Sequence, residues 1–190
     1  MTSIKKILLG LLLVLLIVVP PFLGLGWQNA LVNVLIASLF ALAFNLLNGQ
    51  AGLLSFGHAA YFGVGAFAAL HLMIAIEDGL FFPTPLLPLA GAGAGLLVVL
   101  CGLGLWAYTR TPFGRLTLAL RDNEQRVKFL GYNAHYAKVI VFSVSAMIAG
   151  VAGALQAISN EAANYSLFAG TVSAQVVLQT FVGGSTVFFG

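Results

Sequence analysis

Residues 7–76 read ILLGLLLVLLIVVPPFLGLGWQNALVNVLIASLFALAFNLLNGQAGLLSFGHAAYFGVGAFAALHLMIAI, seventy positions without one Asp, Glu, Lys or Arg. A soluble domain carries about a quarter of its residues as those four types. The rest of the chain keeps the same character: of 190 residues, eight are Lys or Arg, five are Asp or Glu, and 61% are hydrophobic. Mean hydropathy is +1.05. This composition excludes a water-soluble globular domain, a disordered chain and a nucleic-acid binder. A transmembrane helix needs roughly 20 mostly apolar residues, so the sequence predicts an all-α, polytopic transmembrane helical bundle. Alternating strands of about ten residues, the mark of a membrane β-barrel, are absent from the sequence.

Six apolar windows suggest about six spans: Ile7–Leu25, Ala30–Leu47, His58–Ile76, Leu86–Tyr108, Val139–Ile158, and Thr171 to the end. They are expected to form one membrane domain over residues 1–190. Lys5 and Lys6 precede the first window, and Arg110, Arg115, Arg121, Arg126, Lys128 and Lys138 lie between the fourth and fifth. With the N-terminus inside, all eight cations fall on the cytoplasmic side, while Glu77, Asp78 and Glu161 fall outside, as the positive-inside rule requires. The first window also reads as a signal peptide, with Lys5-Lys6 as its basic start and Gly24-Leu25-Gly26 as a small-x-small cleavage site. The rest of the topology is the same on either reading. Small residues four apart (Ala59/Gly63, Gly91/Gly95, Ala146/Gly150/Ala154) allow close helix approach in lipid.

What the chain lacks narrows its chemistry. It has no Gly-Lys dipeptide and therefore no phosphate-binding P-loop, and it has no His-Glu-x-x-His, Gly-x-Ser-x-Gly or cysteine cluster. Neither catalytic nor metal-ligating residues are assigned, and no cofactor is expected. Cys101 is the one cysteine, so no internal disulfide can form. Ion-driven carriers place acidic or basic side chains inside their spans as relays, whereas here the windows offer only His58 and His71 with Tyr and Cys101. His58 reads as a buried, hydrogen-bonded histidine in preference to a proton relay, and His71 as an interfacial residue. Uphill transport by such a bundle must draw its energy from another subunit.

Two segments stand apart. Asn45–Gly57, NLLNGQAGLLSFG, joins two spans with no charge and several glycines. It reads either as a broken helix presenting Asn45, Asn48, Gln50 and Ser55 to a pathway, or as a short turn at Asn48-Gly49 with Ser55 capping the next span. The second segment, the loop 109–138, holds six of the eight cations. Thr111-Pro112 starts a helix with Phe113, Leu116 and Leu120 at helical spacing. Asp122 with Gln125 reads as a capping box opening a second short helix, which has Val127 and Leu130 as its apolar stripe and Gly131 as its stop. Mixed charges at Arg121, Asp122, Glu124, Arg126 and Lys128 suit a protein surface better than an anionic membrane, so the loop reads as a docking element.

SFGHAAYFGVGAF (Ser55–Phe67), RDNEQRVKFLGYN (Arg121–Asn133), SAMIAGVAGAL (Ser145–Leu155) and VGGSTVFFG (Val182–Gly190) together resemble, in order and spacing, the permease subunits of bacterial branched-chain amino-acid ABC importers. The resemblance implies an inner-membrane protein that is not an enzyme. It also implies a second, related permease, two cytoplasmic ABC ATPases and a periplasmic substrate-binding protein as partners. Arg121, Asp122, Asn123, Glu124, Arg126, Lys128, Gly131 and Tyr132 would form the ATPase-coupling segment. Ser55, Gly57 and His58 match the family's Gly-rich segment near the translocation pathway. Members usually continue past the final Gly with a Pro and further helices, so the chain ending at Gly190 is expected to be incomplete at its C-terminus. Thr186 stands where Gly is commoner. Urea and short-amide importers use similar permeases, and a self-contained channel or facilitator for such small neutral solutes is the alternative, since it too needs no intramembrane charge.

Overall fold

The computed structural model describes residues 24–77 and 87–184. Among them every regular element is helical: α1 (Leu25–Asn45) running into a π-helical turn (Leu46–Gln50), α2 (His58–Glu77), α3 (Leu87–Arg110), α4 (Pro112–Asp122), α5 (Glu124–Phe129), α6 (Ala134–Asn160), a 3₁₀ turn (Tyr165–Phe168) and α7 (Gly170–Gly183). The chain divides into two compact units, residues 1–34 and 35–190. In the first, Gly24 O accepts from Trp27 N and Gln28 N to open α1. The contacts and the site described below lie in the second.

Helices dominate because apolar surroundings leave backbone N–H and C=O groups no solvent partner, and a helix satisfies them internally. Two of the described helices, Gly26–Gln50 and Ala134–Asn160, are long and apolar enough to cross a membrane, and His58–Ile74 is a shorter apolar helix. At about 1.5 Å per residue the 27 residues of α6 extend roughly 40 Å, beyond the ~30 Å hydrocarbon layer. The expected first span lies outside the described residues apart from its last two positions. Of the expected sixth span the described residues hold α7, a 14-residue helix ending at Gly183, and most of the final motif lies outside the described residues. The fifth expected window opens at Val139, but α6 begins five residues earlier. Asn133 caps it, its side chain accepting from His135 N at 3.0 Å, so Lys138 belongs to the helix and not to the loop.

The most extensive pairing is α2 against α6, and glycines set its distance. A Cβ on Gly65 would overlap the carbonyl oxygen of Gly150, and one on Gly153 would overlap that of Phe62. The two backbones are therefore in direct contact. Van der Waals packing is the main source of helix association where no hydrophobic gain exists. Of the small-residue spacings singled out in the sequence, Ala59/Gly63 lies on α2 and Ala146/Gly150/Ala154 on α6, where Gly150 is the residue Gly65 meets. Gly63 packs against the Phe168 ring, and Gly65 and Gly153 make the closest approaches. Side chains from the end of α1, α3 and α6 complete a core of Leu46, Leu47, Ala51, Leu105 and Val141.

Candidate functional site: a broken helix and the basic loop that reaches it

The segment 45–57 is a broken helix. α1 does not stop at a turn after Asn48 but widens into the π turn, a form found mostly as single turns and frequently at functional sites. The turn closes with Gly52 N donating to Asn48 O at 3.1 Å and Leu53 N to Leu47 O at 3.1 Å. Gly52 sits at φ +68°, where a Cβ would be strained. Asn45 and Gln50 are buried, while Asn48 and Ser55 are half-buried and Gly57 is exposed. Gln50 Oε1 has no hydrogen-bond partner among the described residues.

His58, the first residue of α2, is fully buried. Phe40 and Phe44 of α1, Tyr61 of α2 and Phe142 of α6 surround its ring at centroid distances of 5.7–6.2 Å. Its Nε2 lies 2.9 Å from Ser145 Oγ, which donates to Ala43 O at 2.5 Å. Since the hydroxyl proton goes to the carbonyl, Ser145 must accept from His58 Nε2–H, which fixes the tautomer. That polarity is the reverse of a base activating a serine, so the pair clasps three helices together and prepares no nucleophile. The first free N–H groups of α2 are met from a distance as well: Ala59 N donates to Ser173 Oγ of α7 at 2.9 Å. Ser55, the cap expected from the sequence, does not serve that N–H.

The basic loop folds as the expected helix pair, with local corrections. Thr111 caps α4 by accepting from Gly114 N at 3.1 Å, with Pro112 at the first position. The cap of α5 is Asn123, accepting from Arg126 N at 3.2 Å. Asp122 is the last residue of α4 instead, because Asn123 already has extended backbone (φ −160°). Gly131 stops α5 at φ +82°, with Gly131 N bonded to Lys128 O and Tyr132 N to Val127 O, a Schellman closure. Leu120, Val127, Ala134 and Ala137 form a small core with Phe113 and Leu116 beside it. Leu130, expected in the buried stripe, is 72% exposed, because the six-residue helix has already ended there. It joins Phe129 (88%), Tyr132 and Tyr136 in a row of exposed apolar and aromatic side chains.

Charges hold the pair in place. Glu124 lies 2.9 Å from Lys128 and 2.5 Å from Lys138, linking α5 to α6. These hydrogen bonds, from Lys138 first and Lys128 second, draw its carboxyl down to about 2. Arg126 and Asp122 are exposed. Arg121 leaves its neighbours and donates from Nη1 to Gly49 O in the π turn, its stem lying across Gly52. The two segments singled out separately in the sequence thus meet: Phe113 packs against the core that holds Leu46, Leu47 and Ala51, and Arg121 bonds Gly49, 72 positions away, a contact that neither local pattern announces. Among the described residues no three His, Cys, Asp or Glu side chains gather as a metal site would need.

All-helical, apolar, and built round a polar clasp that orders helices, the described residues have the make-up of a helical membrane protein. Residues 96–190, half of the chain, match the family described as "Branched-chain amino acid transport system / permease component". The chain belongs to that family of transport permeases, and its place is in a membrane. No curated protein and no solved structure matches it.

Proposed function

We propose that the chain is the permease subunit of an ATP-driven importer of branched-chain amino acids, coupled to cytoplasmic ABC ATPases through loop 109–138. The observation that carries this reading is the Arg121–Gly49 contact: the loop with the exposed Phe129–Tyr132 row is tied by a side chain to a broken helix among the apolar spans. A partner seated on that row could move the break. Broken helices expose backbone groups to substrates in other carriers, and Asn45, Asn48, Gln50, Ser55, Gly57 and His58 supply the polar groups nearest this one. The absence of any charge over residues 7–76 supports an external source of energy. The same reading includes six spans in one membrane domain, a cytoplasmic N-terminus in a bacterial inner membrane, and a second permease and a periplasmic binding protein as partners. ATP-driven closure of the ATPase pair would rock the bundle between its two accessible states.

The test is co-purification followed by reconstitution. The chain should come out with ATPase subunits, and substitutions at Arg121, Glu124 or Gly131 should separate ATP hydrolysis from uptake while leaving membrane insertion intact. A chain that purifies alone and passes small neutral solutes without ATP is a facilitator instead. Unchanged ATP-driven uptake in all three variants removes the docking role of the loop.

A further inference from the structure

We propose that Arg121 is a latch on the π turn. It holds the end of α1 in its widened register, and withdrawing it frees the turn to rewind as α-helix and move the Gly52–Gly57 segment that leads to His58. Gly49 is buried, and its carbonyl lies in the last turn of a helix, where C=O groups have no partner within the helix. The Arg121 guanidinium supplies that partner. The Arg121 stem is also specific to this place: a Cβ on Gly52 would stand 3.1 Å from Arg121 Cγ, so the stem lies against the residue whose left-handed backbone closes the turn. The turn is not fully satisfied as it stands, because Gln50 Oε1 is buried without a partner among the described residues. A π ring encloses one residue more than an α ring. Losing it turns all that follows by about 100° and shifts it ~1.5 Å along the axis. Arg121 is the last basic residue of α4, beside the cap of α5, so a tilt of the loop pair is carried to the latch.

The latch rests on the coupling reading for its purpose, but it can be tested without any partner. The full chain in lipid nanodiscs is followed by amide hydrogen exchange at Ala51, Gly52 and Leu53, whose N–H groups close the turn. Arg121→Ala should speed their exchange at least tenfold and leave residues 145–155 of α6 unchanged. Arg121→Lys should fall between, since an ammonium lacks the planar fork. If Arg121→Ala does not fold, Arg121→Met, which keeps the stem and removes the donor to Gly49 O, should give the same local rise. Unchanged exchange at 51–53, or an equal rise at 145–155, overturns the latch. A local rise in exchange with ATP-driven uptake unaltered would keep the latch and take from it any part in coupling, while a chain that purifies without ATPase subunits would remove the coupling reading and leave the latch standing.

Discussion

The α2–α6 crossing and the α4–α5 pair are held by opposite means. At the crossing, helices touch because side chains are missing: Gly65 and Gly153 bring backbone onto backbone, and one clasp of His58, Ser145 and Ala43 is the polar fastening. In the loop pair each helix end is closed by groups within five residues in sequence, and an acid holds two lysines. The first arrangement depends on shape across distant segments and tolerates nothing larger. The second is assembled from local hydrogen bonds in water, each modest and separately removable.

Substitutions should sort by this contrast. The largest loss is expected from Gly153→Leu or Gly65→Leu, where a side chain meets a backbone oxygen that cannot move aside. Overpacking of this kind costs about 3 kcal/mol or more, and thermal unfolding in detergent should show a large fall or no folded material. Next comes the clasp. Ser145→Ala strips Ala43 O of its hydroxyl donor and leaves His58 Nε2–H unpaired inside the bundle, a loss of about 1–3 kcal/mol. If Ser145→Ala proves as stable as the parent, the clasp is ornamental and the contrast fails at its centre. Thr111→Ala and Asn123→Ala each remove one cap, for about 1 kcal/mol. Faster amide exchange should then be confined to the first turn of the helix affected.

The smallest effect is set by pH. Glu124 titrates at about 2 in the folded chain against 4.5 unpaired, so its contribution is complete above pH 4.5 and is lost as pH falls towards 2. Protection of the α5 amides, corrected for the intrinsic pH dependence of exchange, should therefore be the same at pH 7 and pH 5.5 and fall only under stronger acid, and Glu124→Gln should abolish that dependence. A change between pH 7 and 5.5 in the parent would mean that some other group fastens α5.

The same contrast explains what could be read beforehand. Thr111-Pro112 and Gly131 announced the ends of the loop helices because capping needs only neighbours in sequence. The α5 cap was misread by one position, because Asp122 and Asn123 are both good caps and only the backbone angle decides between them. Leu130 looked like core because its spacing from Val127 is helical, although the helix stops before it. In the bundle, a chain with 22 glycines offers too many small-residue spacings to tell Gly65 and Gly153 from the rest. His58 was legible as a buried group, but its partner Ser145 is 87 residues away, and no periodicity points to it. Arg121 was legible as a member of a docking loop, and its reach to Gly49 was not.

The bond from Ala59 N to Ser173 Oγ spans 114 positions, which sets a schedule for biogenesis. A ribosome adding about 5–20 residues per second makes Ser173 some 6–23 s after Ala59. Through that interval Ala59 N lacks the partner it has in the folded chain, and water or another group has to serve it until α7 is made.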